Sequence, residues 1–186
     1  MLCGPIGCGK STLIQNALGN AARRAGGFVT LRDMEQGVLK GFDLAPAPVL
    51  CGVYCQRLRF LSFENGVRRD DSVFRTHAVR LLDDAGGTAF AILDEIGGFE
   101  LLIPEFAAAL DWFLNGAVPC VGVLKSLPAA GALHARAALP PGYPDAAKRL
   151  RARLEQAPDT LVLETTGRDD ARAEACLRSW AEQYAH

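Results

Sequence analysis

The sequence predicts a single α/β domain with a mainly parallel sheet. Three observations carry that expectation. Apolar runs of strand length alternate with longer amphipathic stretches along most of the 186 residues. A glycine-rich loop, Gly4–Ser11, stands between a short apolar segment and a helical pattern. A wholly apolar run, Phe90–Leu93, ends in the acidic pair Asp94-Glu95, as expected of a strand covered on both faces.

The elements follow in order. Met1–Cys3 forms a very short first strand. A helix follows from Lys10 to about Arg24, with Leu13, Ile14 and Leu18 facing inward and Gly26-Gly27 as its stop. Phe28–Arg32 and Val38–Leu44 read as strands around an Asp33–Gly37 turn. Val49–Tyr54 reads as a third short strand and Arg59–Phe63 as a fourth, which makes this part a small antiparallel insertion. Ser72–Asp84 reads as a helix broken by Gly86-Gly87. Beyond Phe90–Leu93, the pattern gives a helix over Pro104–Leu114 and a buried strand over Val118–Leu124. Ser126–Pro144, rich in Ala, Gly and Pro, is the most loop-like region. Asp145–Gln156 is a helix, Thr160–Leu163 a strand and Asp170–Tyr184 the closing helix.

Composition narrows the function classes. The length suits one compact domain over residues 1–186, and 49% apolar residues supply a sizeable core. A net charge of -1 argues against broad nucleic-acid binding, which rests on many phosphate-neutralising cations. No apolar run approaches the roughly 20 residues needed to cross a bilayer, and the start lacks signal-peptide features. A cytoplasmic protein is expected. The six cysteines, Cys3, Cys8, Cys51, Cys55, Cys120 and Cys176, are scattered, as reduced thiols would be. Cys51 and Cys55 lack the second pair or nearby histidine that zinc requires.

Gly4-Pro5-Ile6-Gly7-Cys8-Gly9-Lys10-Ser11 matches the phosphate-loop pattern G-x-x-x-x-G-K-[ST] in full. The physics demands these types. Glycines let backbone N–H groups curl around phosphate oxygens, and the helix N-terminus favours an anion. Lys10 brings a mobile positive charge to the β- and γ-phosphates, and the Ser11 hydroxyl ligates Mg²⁺. Gly4, Gly7, Cys8 and Gly9 form the cradle, and Thr12 is placed to touch the α-phosphate. Asp94, at the carboxyl edge of the sheet, is the second metal-side group (Walker B to the Walker A of the loop). Glu95 is then set to orient and deprotonate an attacking water. No Asn-Lys-x-Asp guanine-reading motif is present.

These residues carry a resemblance. Asp94-Glu95-Ile96-Gly97 with Phe99-Glu100-Leu101 and Phe106 resembles a stretch of the small P-loop nucleoside-triphosphatase family of the cancer-related and thermophilic type. Gly27-Phe28-Val29-Thr30 with Gly41-Phe42, Pro119–Lys125, and Thr166-Gly167-Arg168-Asp169 are similar to further elements of that family, in the same order. Gly98-Phe99 and Gly167 depart from its pattern, and the first strand is truncated relative to it, which suggests a lost N-terminus or a miscalled start. The resemblance implies a RecA-like three-layer sandwich, Mg²⁺ dependence, and slow hydrolysis of several nucleoside triphosphates to the diphosphate and phosphate. It carries Lys10 and Ser11 for phosphate and metal, Asp94 for metal, and Glu95 for water activation.

Other residues have two readings each. Arg168 either reaches the nucleotide or pairs with Asp169 or Asp170. Glu100 is an outer partner of the metal or a cap for the next helix. Arg32 contacts phosphates or a partner, or is a solvated charge. Lys148, Arg149, Arg151 and Arg153 form a solvated helix face or an acidic-partner surface. His77 and His134 are isolated. The competing functions are a small-molecule or nucleotide kinase, whose best lid would be Ser126–Pro144 with only Arg136, and a nucleotide-dependent binding module.

Overall fold

A computed structural model describes residues 1–128 and 142–185. Most of the expected loop Ser126–Pro144, with Arg136 and His134, lies outside the described residues.

Eight strands form one sheet in the order β5-β4-β3-β2-β6-β7-β1-β8. The strands are β1 (Leu2–Cys3), β2 (Gly26–Glu35), β3 (Val38–Pro46), β4 (Leu58–Ser62), β5 (Arg68–Arg69), β6 (Ala91–Ile96), β7 (Cys120–Leu124) and β8 (Leu163–Glu164). From β2 through β6, β7 and β1 to β8 every pairing is parallel. β3, β4 and β5 extend the sheet antiparallel beyond β2, the small insertion that the sequence predicts. The helices are α1 (Lys10–Leu18), α2 (Val79–Ala85), α3 (Pro104–Leu114), α4 (Tyr143–Gln156) and α5 (Ala171–Tyr184).

Alternation along the strands makes three layers. Phe28 and Leu93 point to one face, where they join Leu82, Phe106 and Leu150 from α2, α3 and α4. Val29, Ile92, Val121 and Val123 point to the other, against Leu13, Ile14 and Leu18 of α1 and Ala173 and Leu177 of α5. A sheet covered on both faces explains the continuous apolar runs. It also sends the carboxyl ends of β1, β6 and β7 to one edge, where the phosphate loop begins.

Three expectations change. Val49–Tyr54 is not a strand: Ala47–Cys51 is a 3₁₀ helix. Pro48 cannot donate to a sheet ladder and favours the first turn of a helix, while Gly52, at φ 73°, ends the turn. The helix expected over Ser72–Asp84 opens with a π-helical turn, Val73–Ala78, before α2. Asp70 accepts from the Ser72 N–H at 3.0 Å and from its hydroxyl at 2.6 Å at the entry. Val73, Phe74 and Ala78 are all buried by this widened turn. The helix expected from Lys10 to Arg24 is α-helical only to Leu18 and continues as a 3₁₀ helix over Gly19–Arg24.

Candidate functional site

The phosphate loop lies between β1 and α1, with Gly9 directly before the helix. The Lys10 side chain curls back into the loop, and its ammonium donates to Gly4 O at 3.1 Å and Pro5 O at 2.7 Å. Lys10 is only 5% exposed, so its charge is confined to the cradle. Thr12, one residue on, is exposed.

Opposite the loop, β6 delivers its two carboxylates through a β-bulge. Leu93 pairs with Gly122 and Ile96 with Leu124, so Asp94 and Glu95 together oppose one residue of β7. Gly122 permits this close register, since a Cβ there would collide with Leu93 O. Glu95 adopts φ 62°, a left-handed conformation unusual for a residue with a side chain. Backbone strain of this kind clusters at functional sites.

The consequence is convergence. The Ser11 hydroxyl lies 3.1 and 3.0 Å from the two Asp94 carboxylate oxygens, across 83 residues of sequence. Asp94 is buried, and burial pushes its pKa up to about 7, with the Glu95 charge adding to the rise. The Ser11 hydrogen bond and the Lys10 charge oppose it. A buried carboxylate of this kind favours a nearby positive charge. The hydroxyl and carboxylate are hard oxygen donors that suit a small divalent cation. Among the described residues, no group of three or more His, Cys, Asp and Glu could hold a metal alone.

Around this pair, the two flanks of the loop differ. On the β8 flank, the Arg168 N–H donates to Cys8 O at 2.9 Å. Gly167, at φ 147°, lies so near that a Cβ would sit 2.8 Å from Cys8 O. The Arg168 side chain is exposed and pairs with neither Asp169 nor Asp170. Asp170 instead caps α5, accepting from Ala173 N–H at 3.0 Å. Cys8 and Thr166–Asp169 line an open polar depression of about 290 Å³.

On the other flank stand Arg32, Glu95 and Lys125. The Arg32 guanidinium comes within 3.5 Å of where a Cβ on Gly7 would be, and the side chain is exposed. Lys125, just past β7, approaches Glu95 at 3.9 Å. Glu100 is not a helix cap. It is 4% exposed, and its Oε1 accepts from Gly97 N–H at 2.9 Å and Gly98 N–H at 2.6 Å. It therefore fixes the turn that leaves the Asp94-Glu95 bulge. Burial raises its pKa, against the Lys125 charge and these N–H groups.

Three of the four cations of the basic stretch on α4 pair within the chain, and Arg149 is exposed. Lys148 meets Asp145 at 3.7 Å, Arg151 meets Glu155 and Glu164 at 2.7 Å each, and Arg153 meets Asp111 at 2.6 Å. All six cysteines are free. No helix among the described residues is long and apolar enough to cross a membrane.

The profile of the NTPase family matches residues 1–135, more than half the chain. The protein belongs to the NTPase family. Its fold is that of solved P-loop proteins of this kind. THEP1 from the hyperthermophile Aquifex aeolicus superposes with a TM-score of 0.64 at 16% identity, covering 100% of this chain and 98% of that one. A human cancer-related nucleoside triphosphatase gives 0.60 at 22% identity, covering 98% and 94%. No curated protein sequence matches at a significant level. Within this NTPase, the sequence motifs and the geometry meet at Lys10, Ser11, Asp94 and Glu95. Lys125 was missed as an individual residue, because nothing local in the sequence ties it to Glu95. Its only signal is its position at the carboxyl end of a buried strand.

Proposed function

We propose that the protein hydrolyses Mg-bound nucleoside 5'-triphosphates to the diphosphate and phosphate. The observation that carries this reading is the contact of the Ser11 hydroxyl with the Asp94 carboxylate at 3.0 Å, with Glu95 next in the chain on the same bulge.

The loop amides of Gly7, Cys8 and Gly9 and the N-terminus of α1 receive the phosphates. Lys10 leaves the carbonyls of Gly4 and Pro5 for the β- and γ-phosphate oxygens, exchanging neutral acceptors for charged ones. Ser11 and Asp94 would hold Mg²⁺, which when bound would neutralise charge on the triphosphate. Glu95 accepts a proton from a water whose oxygen bonds to the γ-phosphorus as the bond to the β–γ bridging oxygen breaks. Lys125 orients that carboxylate from 3.9 Å. Arg32 adds a second positive charge on the γ side of the loop. Thr12 and Arg168 serve the α-phosphate and nucleoside end, with the polar depression at Thr166–Asp169 beside them. The sequence has no Asn-Lys-x-Asp guanine-reading motif, in keeping with use of ATP, GTP, CTP and UTP alike. The reading includes a cytoplasmic setting, in keeping with six free thiols.

The test is phosphate release from each of the four nucleotides with Mg²⁺ and with excess chelator. Release from all four that stops on chelation supports the reading. Tight nucleotide binding without release under any of these conditions would leave a binding module in its place.

A further inference from the structure

On the γ side of the phosphate loop lies a cavity of about 90 Å³ that water hydrolysis does not use. Its inner wall is aromatic. Phe28, Phe42, Phe60, Phe74 and Phe99 line it. The rings brace one another: Phe60 and Phe74 meet edge-on with centroids 4.9 Å apart, and Phe74 and Phe99 at 5.6 Å. Its outer rim is charged. Arg32, Glu95 and Lys125 stand there beside Ile6, which belongs to the phosphate loop and is 62% exposed.

We infer that this cavity is a phosphoryl-acceptor subsite for a small uncharged alcohol carrying one ring or branched alkyl group. The inference rests on the nucleotide reading of the loop and of Glu95.

Position comes first. The sheet order sets β8 on one side of β1, and β7, β6 and β2 on the other. The nucleoside end therefore falls toward the Thr166–Asp169 depression, and the opposite flank, with Arg32 near Gly7, faces the terminal phosphate. The cavity opens on that flank. Shape comes second. Protein interiors leave few voids larger than a water, and a void walled by braced aromatic rings cannot easily collapse. Its volume is below the roughly 150 Å³ of a cavity that takes benzene, which limits the occupant to one small ring or branched alkyl group with its hydroxyl left at the rim. Chemistry comes third. The one buried carboxylate in the wall, Glu100, is occupied by the Gly97 and Gly98 N–H groups. The aromatic inner wall offers a charged group nothing to replace its hydration, so the part of the occupant that enters it is neutral. Glu95 at the rim then meets the hydroxyl.

The transfer is the hydrolytic step with the alcohol in place of water. The hydroxyl oxygen bonds to the γ-phosphorus, its proton passes to Glu95, and the bond from phosphorus to the β–γ bridging oxygen breaks. The products are a phosphate monoester and the nucleoside diphosphate. No oxidant or further reactant is needed.

Benzyl alcohol is the probe, with glycerol as a polar control. The intact protein is incubated with Mg-ATP and each alcohol, and products are followed by ³¹P NMR beside released phosphate. Benzyl phosphate is expected to form and to saturate with benzyl alcohol, with no glycerol phosphate. Phe42→Trp, which narrows the cavity from β3, is expected to lower the ratio of benzyl phosphate to phosphate by roughly tenfold, the scale of a misfit in an apolar pocket. The wild-type experiment stands alone if that variant melts early. Phosphate release without any benzyl phosphate overturns the acceptor subsite and leaves the hydrolytic reading intact. Benzyl phosphate without phosphate release in the absence of alcohol upholds the subsite and overturns hydrolysis as the reaction. ATP binding with neither product overturns both.

Discussion

The two flanks of the phosphate loop hold it by different means. On the β8 flank, contact is made by backbone: Arg168 N–H meets Cys8 O at 2.9 Å, and Gly167 leaves no room for a Cβ. On the β2–β6–β7 flank, contact is made by charged side chains, with Arg32 over Gly7 and Lys125 beside Glu95. The first flank fixes the shape of the cradle. On the proposed hydrolytic reading, the second supplies charge where it develops during phosphoryl transfer. Side-chain truncation should therefore hurt one flank, and added bulk the other.

The largest expected effect on this contrast is Arg32→Ala. It should lower kcat by about 10²-fold, as loss of one transition-state partner does, with little change in nucleotide Kd. Steady-state phosphate release beside equilibrium binding measures both, and an unchanged kcat would return Arg32 to the role of a solvated charge. Next is Gly167→Ala. Its Cβ would press on Cys8 O at 2.8 Å in a backbone conformation of φ 147°, so a loss of about 2 kcal/mol in unfolding free energy is expected. Denaturant titration measures it, and wild-type stability would mean that the flank yields.

Glu100→Gln sharpens the charged flank further. The amide oxygen can still accept from Gly97 and Gly98 N–H, but the buried charge is gone. Because burial raises the folded-state pKa of Glu100, the folded wild type holds its proton to higher pH than the unfolded chain does. The cost of ionising it is absent below the ordinary carboxylate range and grows as pH rises through the folded pKa. The variant should melt higher than wild type at pH 8, and the advantage should vanish toward pH 4. The smallest effect is Arg168→Ala. The backbone N–H survives, so stability should hold while KM for ATP rises a few-fold, roughly 1 kcal/mol of uniform binding. A fall in kcat of the size expected for Arg32→Ala would erase the distinction between flanks.

Legibility follows the same divide. Gly4–Ser11 is contiguous, so its loop between β1 and α1 could be read from spacing alone. Asp94 could be read because an apolar strand must deliver its last residues to the sheet edge. The bulge that turns Asp94 and Glu95 to that edge could not, because it depends on the register against β7 and on Gly122. Lys125 and the phenylalanine cavity share that limit: Phe28, Phe42, Phe60, Phe74 and Phe99 come from five separate segments. The sequence of Val49–Tyr54 predicts a strand because its apolar residues outweigh Pro48 and Gly52. Those two residues set the local backbone, and Val49 and Leu50 pack on the core from a 3₁₀ turn instead.

The central claim is that Glu95 activates the water that attacks a triphosphate held by Lys10, Ser11 and Asp94. Single-turnover phosphate release by Glu95→Gln, measured with Mg-ATP binding by the same preparation, tests it most directly. The account predicts unchanged binding and a rate lower by about 10²–10⁴-fold, the contribution of a positioned general base. Binding together with a wild-type rate would contradict it.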